Sequence, residues 1–379
     1  MPKWRAGGGS FRKAEKAGDD FFSNMVGPRF NPDAVLDIRN GEKVLVMSDF
    51  HMGSGRRDDL AYNGGFLTAI LSDYYFERGW YLVLNGDIEE LMRYSLGDIQ
   101  KQWPLLYRAF DRFAAAGRLY KLIGNHDEAL LFQKSYPYTL YSAVRIETGL
   151  MPVYVYHGHQ SSRVYAKYNS LIGASIRYFL KPFGIRNIST ARNSRRRFYV
   201  EKKAYEFSLE NNCISVIGHT HRPLFESLGR FDYIKFEIER LCRDYPAVLP
   251  AERGRIAAEV AALSADLGKL QRKERRDVLR QSLYGDLLPV PCLFNSGCAI
   301  GKKGVNAIEL DRGSIALVYW LNERGEKHFI SRGDYSVEDM GPYRRVVLNQ
   351  DRMDYVAARI ELLGKRGGTA NNGADGVNQ

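Results

Sequence analysis

The 379 residues, 45% hydrophobic and 26% charged, have the usage of a globular protein, which excludes a mainly disordered or fibrous chain. Lysine and arginine outnumber acids 55 to 44, a formal +11, but the excess is local. Eleven basic residues and a single acid, Glu201, lie between Gln160 and Lys203, so that segment alone is +10 and the rest is close to neutral. A protein coated with positive charge is excluded; one with a single basic module is not.

The length suits one large domain with insertions, or two domains. No uncharged apolar run approaches the roughly 20 residues of a membrane-spanning helix. The start, Met1-Pro2-Lys3-Trp4-Arg5, lacks the apolar stretch of a secretory signal. Four cysteines without a C-x-x-C pair are no disulfide scaffold, and the expectation is reduced thiols in a cytoplasmic protein.

In chain order, residues 1 to about 40 are polar and glycine-containing and predict a flexible arm. A repeating pattern begins at Lys43. Val44 to Met47 runs into Ser48-Asp49-Phe50-His51, and Tyr81 to Leu84 into Asn85-Gly86-Asp87. Leu119 to Ile123 ends in Gly124-Asn125-His126-Asp127, Val153 to Tyr156 in His157-Gly158-His159, and Ile214 to Ile217 in Gly218-His219-Thr220-His221. Short β-branched or aromatic runs stopped by Gly or Asn read as buried strands. Helical patterns over Asp59–Glu77 and Asp98–Ala116 lie between the early ones, which gives an α/β layered fold.

Two segments interrupt this rhythm. Residues 160–211 interleave the basic charges with apolar residues such as Leu171, Ile172, Phe179 and Phe183. In 230–288, Ile256, Val260, Leu263, Leu267 and Leu270 recur at helical spacing, and the predicted amphipathic helix is expected to pack on the main domain. The strand pattern returns with Cys292 to Asn295, Ala307 to Leu310 and Ser314 to Trp320. A Gly- and Asn-rich tail, 365–379, is expected to be disordered.

Each strand-end cluster is a weak signal alone, since turns also favour Asn and Gly. Together they are not. Five successive predicted strands end in Asp, Asn or His, and parallel strands would line those ends along one sheet edge. Burying them side by side without a cation is costly. Oxygen and nitrogen donors of this kind suit a pair of divalent transition ions, manganese foremost, with iron, zinc or cobalt as alternatives.

The order Asp-x-His, Gly-Asp-x-x-Glu, Gly-Asn-His-Asp, His-Gly-His, Gly-His-Thr-His resembles the calcineurin-like metallophosphoesterases over residues 43–225 and 290–321. The resemblance implies a four-layer α/β/β/α sandwich with two metals at the sheet edge and two helical insertions, a basic lid at 160–211 and a second at 230–288. The catalytic domain would occupy 41–225 and 289–345. Asp49, His51, Asp87 and His221 would hold one metal; Asp87, Asn125, His157 and His219 the other, with Asp87 bridging. Two metals about 3.5–4 Å apart can share an attacking hydroxide and clamp a phosphoryl group for in-line displacement. His126 is then the candidate to protonate the leaving oxygen, with Asp127 or Asp49 fixing its tautomer.

Within that superfamily the chain is similar to the UDP-2,3-diacylglucosamine hydrolases, which share Ser-Asp-x-His, a helical lid before the fifth motif, and Gly-His-Thr-His-Arg-Pro, here Gly218 to Pro223. Ser296-Gly297 after a late strand also fits. The implied substrate is anionic and phosphate-containing, lipid-linked or a nucleotide sugar, met by His159, Arg163, Arg195 and Arg196. The lid would make peripheral contact with the inner face of a membrane. A nuclease using Arg192–Arg197 on nucleic acid is the alternative, and a non-enzymatic scaffold a second.

Overall fold

The computed structural model describes residues 34–54, 60–161, 194–225, 250–274, 290–322 and 336–364, with isolated positions between 234 and 248. The tail 365–379, the N-terminal 33 residues, Arg163 with most of the 160–211 insertion, and parts of the 230–288 insertion lie outside the described residues.

The strands are β1 (Ala34–Asp37), β2 (Lys43–Met47), β3 (Trp80–Asn85), β4 (Leu119–Leu122), β5 (Leu140–Tyr141), β6 (Ala143–Glu147), β7 (Val153–Tyr156), β8 (Ile214–Ile217), β9 (Leu293–Asn295), β10 (Gly304–Asp311), β11 (Ser314–Leu321), β12 (Ser336–Met340) and β13 (Tyr343–Arg352). They form an eight-stranded sheet in the order β12-β13-β11-β10-β2-β3-β4-β5 and a five-stranded sheet in the order β1-β6-β7-β8-β9. The helices are α1 (Gly64–Ala69), continued by a π-helical turn Ile70–Phe76, α2 (Leu96–Gln102), α3 (Pro104–Ala115), α4 (Ser194–Asn211), α5 (Pro250–Glu274) and α6 (Met353–Gly364).

Strand periodicity sorts the layers. Val44, Val46, Val83 and Leu122 share one buried core with Val153, Val155, Ile214 and Val216 of the five-stranded sheet. Their neighbours Leu45, Met47, Leu82 and Leu84 belong to a second core with Phe66, Leu67, Leu106 and Phe110 of α1 and α3. On the far side Phe207 of α4 packs edge-on against Tyr154 and Tyr156. Successive side chains on a strand face opposite ways, so runs apolar at every position fill both spaces. The fold is an α/β sandwich of two sheets between helical layers.

Several sequence expectations change in detail. The Asp98–Ala116 helix is two helices, because Pro104 has no N–H to give the preceding turn and instead opens α3; Ser95 caps α2 through Asp98 N at 3.2 Å. The N-terminal arm is shorter than 40 residues, since β1 pairs with β6. At the other end the domain runs past 345 through β13 and α6 to Gly364. Of the expected seam on α5, Ile256 is buried, Val260, Leu263 and Leu267 are half-buried, and Leu270's side chain is outside the described residues.

Trp320 on β11 is fully buried, and its Nε1 donates to Tyr75 Oη at 2.7 Å, which in turn donates to Glu309 at 2.6 Å. Replacing so large a core side chain leaves a cavity and severs this chain. Trp320→Ala is expected to cost about 3–5 kcal/mol, read as a lower urea midpoint at unchanged slope.

Candidate metal centre

The ladder between β2 and β3 does not stop where the strands do. Asp49 N donates to Gly86 O at 3.1 Å, His51 N to Asp87 O at 3.0 Å, and Met52 N to Ile88 O at 2.7 Å. The Asp-x-His and Gly-Asp segments are therefore zipped together. In the five-stranded sheet Gly218 N donates to His157 O, and across the sandwich His219 N donates to Asp49 Oδ2 at 3.0 Å, which ties that sheet to the first loop. The strand ends thus come from both sheets, β2, β3 and β4 from one and β7 and β8 from the other, where a single edge was expected. One sheet could not face imidazoles from opposite sides.

This convergence requires unusual backbone. Among the described residues seven non-glycines have left-handed φ, and five of them are Asp49, His51, Asp87, His219 and His221. Such conformations cost of order 1–3 kcal/mol each and cluster at functional sites. Close approach matters as much. A Cβ on Gly124 would stand 2.2 Å from Asp87 Oδ1, and one on Gly86, at φ 77°, would stand 2.6 Å from His157 Nδ1.

Two groups of donor atoms result. Asp49, His51 and His221 form the first: the Nε2 atoms of the two histidines face each other at 3.1 Å, and His221 Nε2 lies 3.1 Å from Asp49 Oδ1. Asp87, His157 and His219 form the second, with His157 Nε2 3.1 Å from Asp87 Oδ2. Asn125 sits beside His126, whose N–H donates to Asp87 Oδ1 at 2.8 Å. His157 Nδ1 donates to the Asn85 carbonyl at 2.7 Å, which sets the tautomer and presents Nε2 to the site.

Donor satisfaction tests whether a cation fits. Asn125 Oδ1 is buried with no hydrogen-bond partner, and Asp49 Oδ1 and His157 Nε2 make no well-formed hydrogen bond, facing only other candidate ligands, His221 Nε2 and Asp87 Oδ2, at 3.1 Å. Buried polar atoms are nearly always satisfied, and these three belong to the proposed ligand sets. Carboxylate, amide oxygen and imidazole are the donors borderline divalent ions take. The residues fit.

A third group, His51, Glu90 and His126, has a different explanation. Glu90 Oε2 is 3.0 Å from His51 Nδ1 and 2.7 Å from His126 Nδ1. One carboxylate thus orients two rings that stand 4.6 Å apart and perpendicular. This corrects the expectation that Asp127 or Asp49 orients His126. Asp127 is fully buried and spent elsewhere: Oδ2 takes Lys121 Nζ at 2.6 Å and Ile88 N at 2.9 Å, Oδ1 takes Gly124 N at 2.6 Å. Lys121, itself buried, also pairs with Glu89 at 3.2 Å. Asp127 therefore holds the loop through these three contacts and does not touch the His126 ring. Glu90 lies three residues after Asp87, and that spacing was the available signal for it.

His159 is buried beside the second group, its ring 5.4 Å from His157 and 6.3 Å from His219. Arg195 and Arg196 lie in the first turn of α4, with side chains outside the described residues, as is Arg163 altogether.

The electrostatics follow from the crowding. Burial opposes ionisation of Asp87, yet His157 and His126 hold it well below the usual carboxylate range. Burial likewise opposes charge on His157, but Asp87 and Asp49 raise it to about 9. His126 is raised to about 9 against burial by Asp87 and Glu90. His219 is pushed down to about 3 by burial and by the charge on His157.

The sequence pattern of the calcineurin-like phosphoesterases matches residues 42–249, more than half the chain and all of this site. The chain belongs to that family. No curated protein sequence matches it. Among solved structures, the phosphoesterase YfcE from E. coli aligns at 13% identity and TM-score 0.30, covering 72% of this chain and 91% of its own. A Vps29 point variant from Entamoeba histolytica aligns at 12% identity and TM-score 0.31, covering 81% and 99%. Divalent metals are the working ions of calcineurin-like phosphoesterases, and the carboxylate and imidazole groups here are of the kind that can hold them.

Two outcomes test this geometry. A metal ligand imidazole must be neutral, so a cation has to displace the proton that His157 carries below about pH 9. Mn²⁺ affinity is therefore expected to rise with pH up to about 9, and titration calorimetry in buffers of different ionisation enthalpy should show proton release at pH 7. Gly124→Ala, which drives a methyl into Asp87, is expected to weaken Mn²⁺ binding about 10–100-fold in the same assay, the range seen when a ligand's support is disturbed.

Proposed function

We propose that this chain is a two-cation phosphoesterase that hydrolyses a phosphodiester or pyrophosphate bond. Asp49, His51, Asp87 and His221 would hold one cation, and Asp87, Asn125, His157 and His219 the other. The observation that carries the reading is the set of buried ligand atoms that make no well-formed hydrogen bond, Asp49 Oδ1, Asn125 Oδ1 and His157 Nε2, inside a strained and glycine-lined cradle. Bound divalent cations supply Lewis-acid polarisation of the phosphoryl oxygens and acidify water.

The chain's own residues supply the rest. His126 has Nδ1 engaged by Glu90, which leaves Nε2 to carry a proton to the leaving oxygen. Its pKa of about 9 keeps it in the acid form at neutral pH. Glu90, held to about 2 against burial by His126 and His51, stays ionised and so keeps both rings in one orientation.

For the substrate we favour an anionic lipid-linked or nucleotide-sugar phosphate, as in the UDP-2,3-diacylglucosamine hydrolases, met at the cytoplasmic face of a membrane. Support comes from where the +10 segment joins the fold. It leaves at His159, beside His157, and returns through α4, which packs against the five-stranded sheet. Because Glu201 in the first half of α4 also accepts from Thr220 Oγ1 at 2.9 Å, both ends of the basic segment are rooted at the site, as a lid over one anionic substrate requires. Among the described residues no helix is long and apolar enough to cross a membrane.

Asp87→Ala and His126→Ala, with circular dichroism unchanged, are expected to lower Mn²⁺-dependent kcat on bis-p-nitrophenyl phosphate by at least about 10²-fold. Full activity in either variant would sink the assignment. In the parent protein a UDP-sugar lipid should be hydrolysed with higher kcat/KM than single-stranded DNA; the reverse order would replace the lipid reading with the nuclease one.

A further inference from the structure

Glu201 is the only acid in the basic stretch between Gln160 and Lys203, and it is 1% exposed. A carboxylate buried in a segment otherwise built of cations calls for partners. Its partners are not on its own helix. Oε1 accepts from Thr220 Oγ1 at 2.9 Å and from Arg222 Nε at 3.2 Å, and Arg222 Nη2 donates to Oε2. Thr220 stands between His219 and His221, one ligand from each proposed cation site.

The loop so gripped cannot hold its shape unaided. His219 and His221 have left-handed φ of 62° and 55°, on either side of a β-branched residue. From the opposite side Asn295 Nδ2 donates to Thr220 Oγ1 at 2.9 Å and to the Gly218 carbonyl at 3.0 Å. The Thr220 hydroxyl therefore has its one proton committed to Glu201 and an acceptor pair committed to Asn295. Asn295 belongs to the sheet; Glu201 belongs to the insertion.

We propose that Glu201 is a positioning residue that latches the basic insertion to the His219-Thr220-His221 loop, so that the placement of α4 sets the geometry of both cation sites at once. The inference rests on the two-cation reading above. It makes the insertion part of the metal centre's support, and links what binds the insertion to how the cations are held.

The test is Mn²⁺ titration of the full-length protein without substrate, together with amide hydrogen exchange over residues 218–222 of the metal-free protein. Glu201→Ala is expected to raise the Mn²⁺ Kd about 10–100-fold and to speed exchange in the loop. Glu201→Gln, which keeps an oxygen for Thr220, should recover most of both losses. Glu309→Gln, remote and paired with Arg345, should lower the Tm and leave Mn²⁺ affinity unchanged. If Glu201→Ala does not fold, the near-isosteric Thr220→Val removes that bond together with the one from Asn295 and should show at least the same loss, beyond that of an Asn295→Ala control. Parent-like Mn²⁺ affinity and exchange in Glu201→Ala, or in Thr220→Val where that variant takes its place, would overturn the latch. A parent protein that takes up no Mn²⁺ would overturn the two-cation reading instead, while exchange in the loop still judges the latch.

Discussion

Everything at this site depends on the cost of burying ionisable groups side by side. Asp49, Asp87, His157 and His219 lie in one buried space at the meeting of two sheets. Carboxylates and imidazoles in such a place are stable only if charges are matched within a few ångströms. Protons can do part of that, which is why His157 and His126 are held near 9 while His219 is driven to about 3. They cannot do all of it, because the buried Asn125 Oδ1 still has no hydrogen-bond partner. Divalent cations would answer both groups of donors together.

The backbone accepts strain to create this arrangement. Ladder hydrogen bonds carried past the ends of β2 and β3 fix Asp49 and His51 against Asp87, and left-handed φ angles turn their side chains inward. Beneath them the buried Lys121 pairs with both Asp127 and Glu89, and Asp127 in turn holds the Gly124 and Ile88 amides. Breaking a buried pair of this kind leaves an uncompensated charge at a cost of about 3–5 kcal/mol. That ion pair is the floor on which the strand-end loops stand.

Much of this was legible in the sequence, for definite reasons. Strands apolar at every position must be covered on both faces, so the runs at Val44, Leu82 and Ile214 announced a layered sandwich. Strand ends stopped by Gly, Asn or His announced the candidate ligands, because few other uses bring five such clusters together. What stayed hidden were interactions that depend on how two sheets face each other. Asp127, adjacent to His126 in sequence, looked like its partner, yet the loop turns it toward Lys121 and leaves Glu90, from another strand end, to do that work. Glu201 and Asn295 gave no sign of their grip on Thr220, because 19 and 75 residues separate them from it. Strands β12 and β13 escaped notice because they lie toward a sheet edge, where half-exposed polar residues blur the pattern.

The measurement that bears most directly on this account is anomalous diffraction from crystals of the protein grown with Mn²⁺. The account predicts two peaks per chain about 3.5–4 Å apart, one on each side of the Asp87 carboxylate, the first against His51 and His221 and the second against His157 and His219. A single peak between the Nδ1 atoms of His51 and His126 at Glu90, or no peak among these residues, would contradict it.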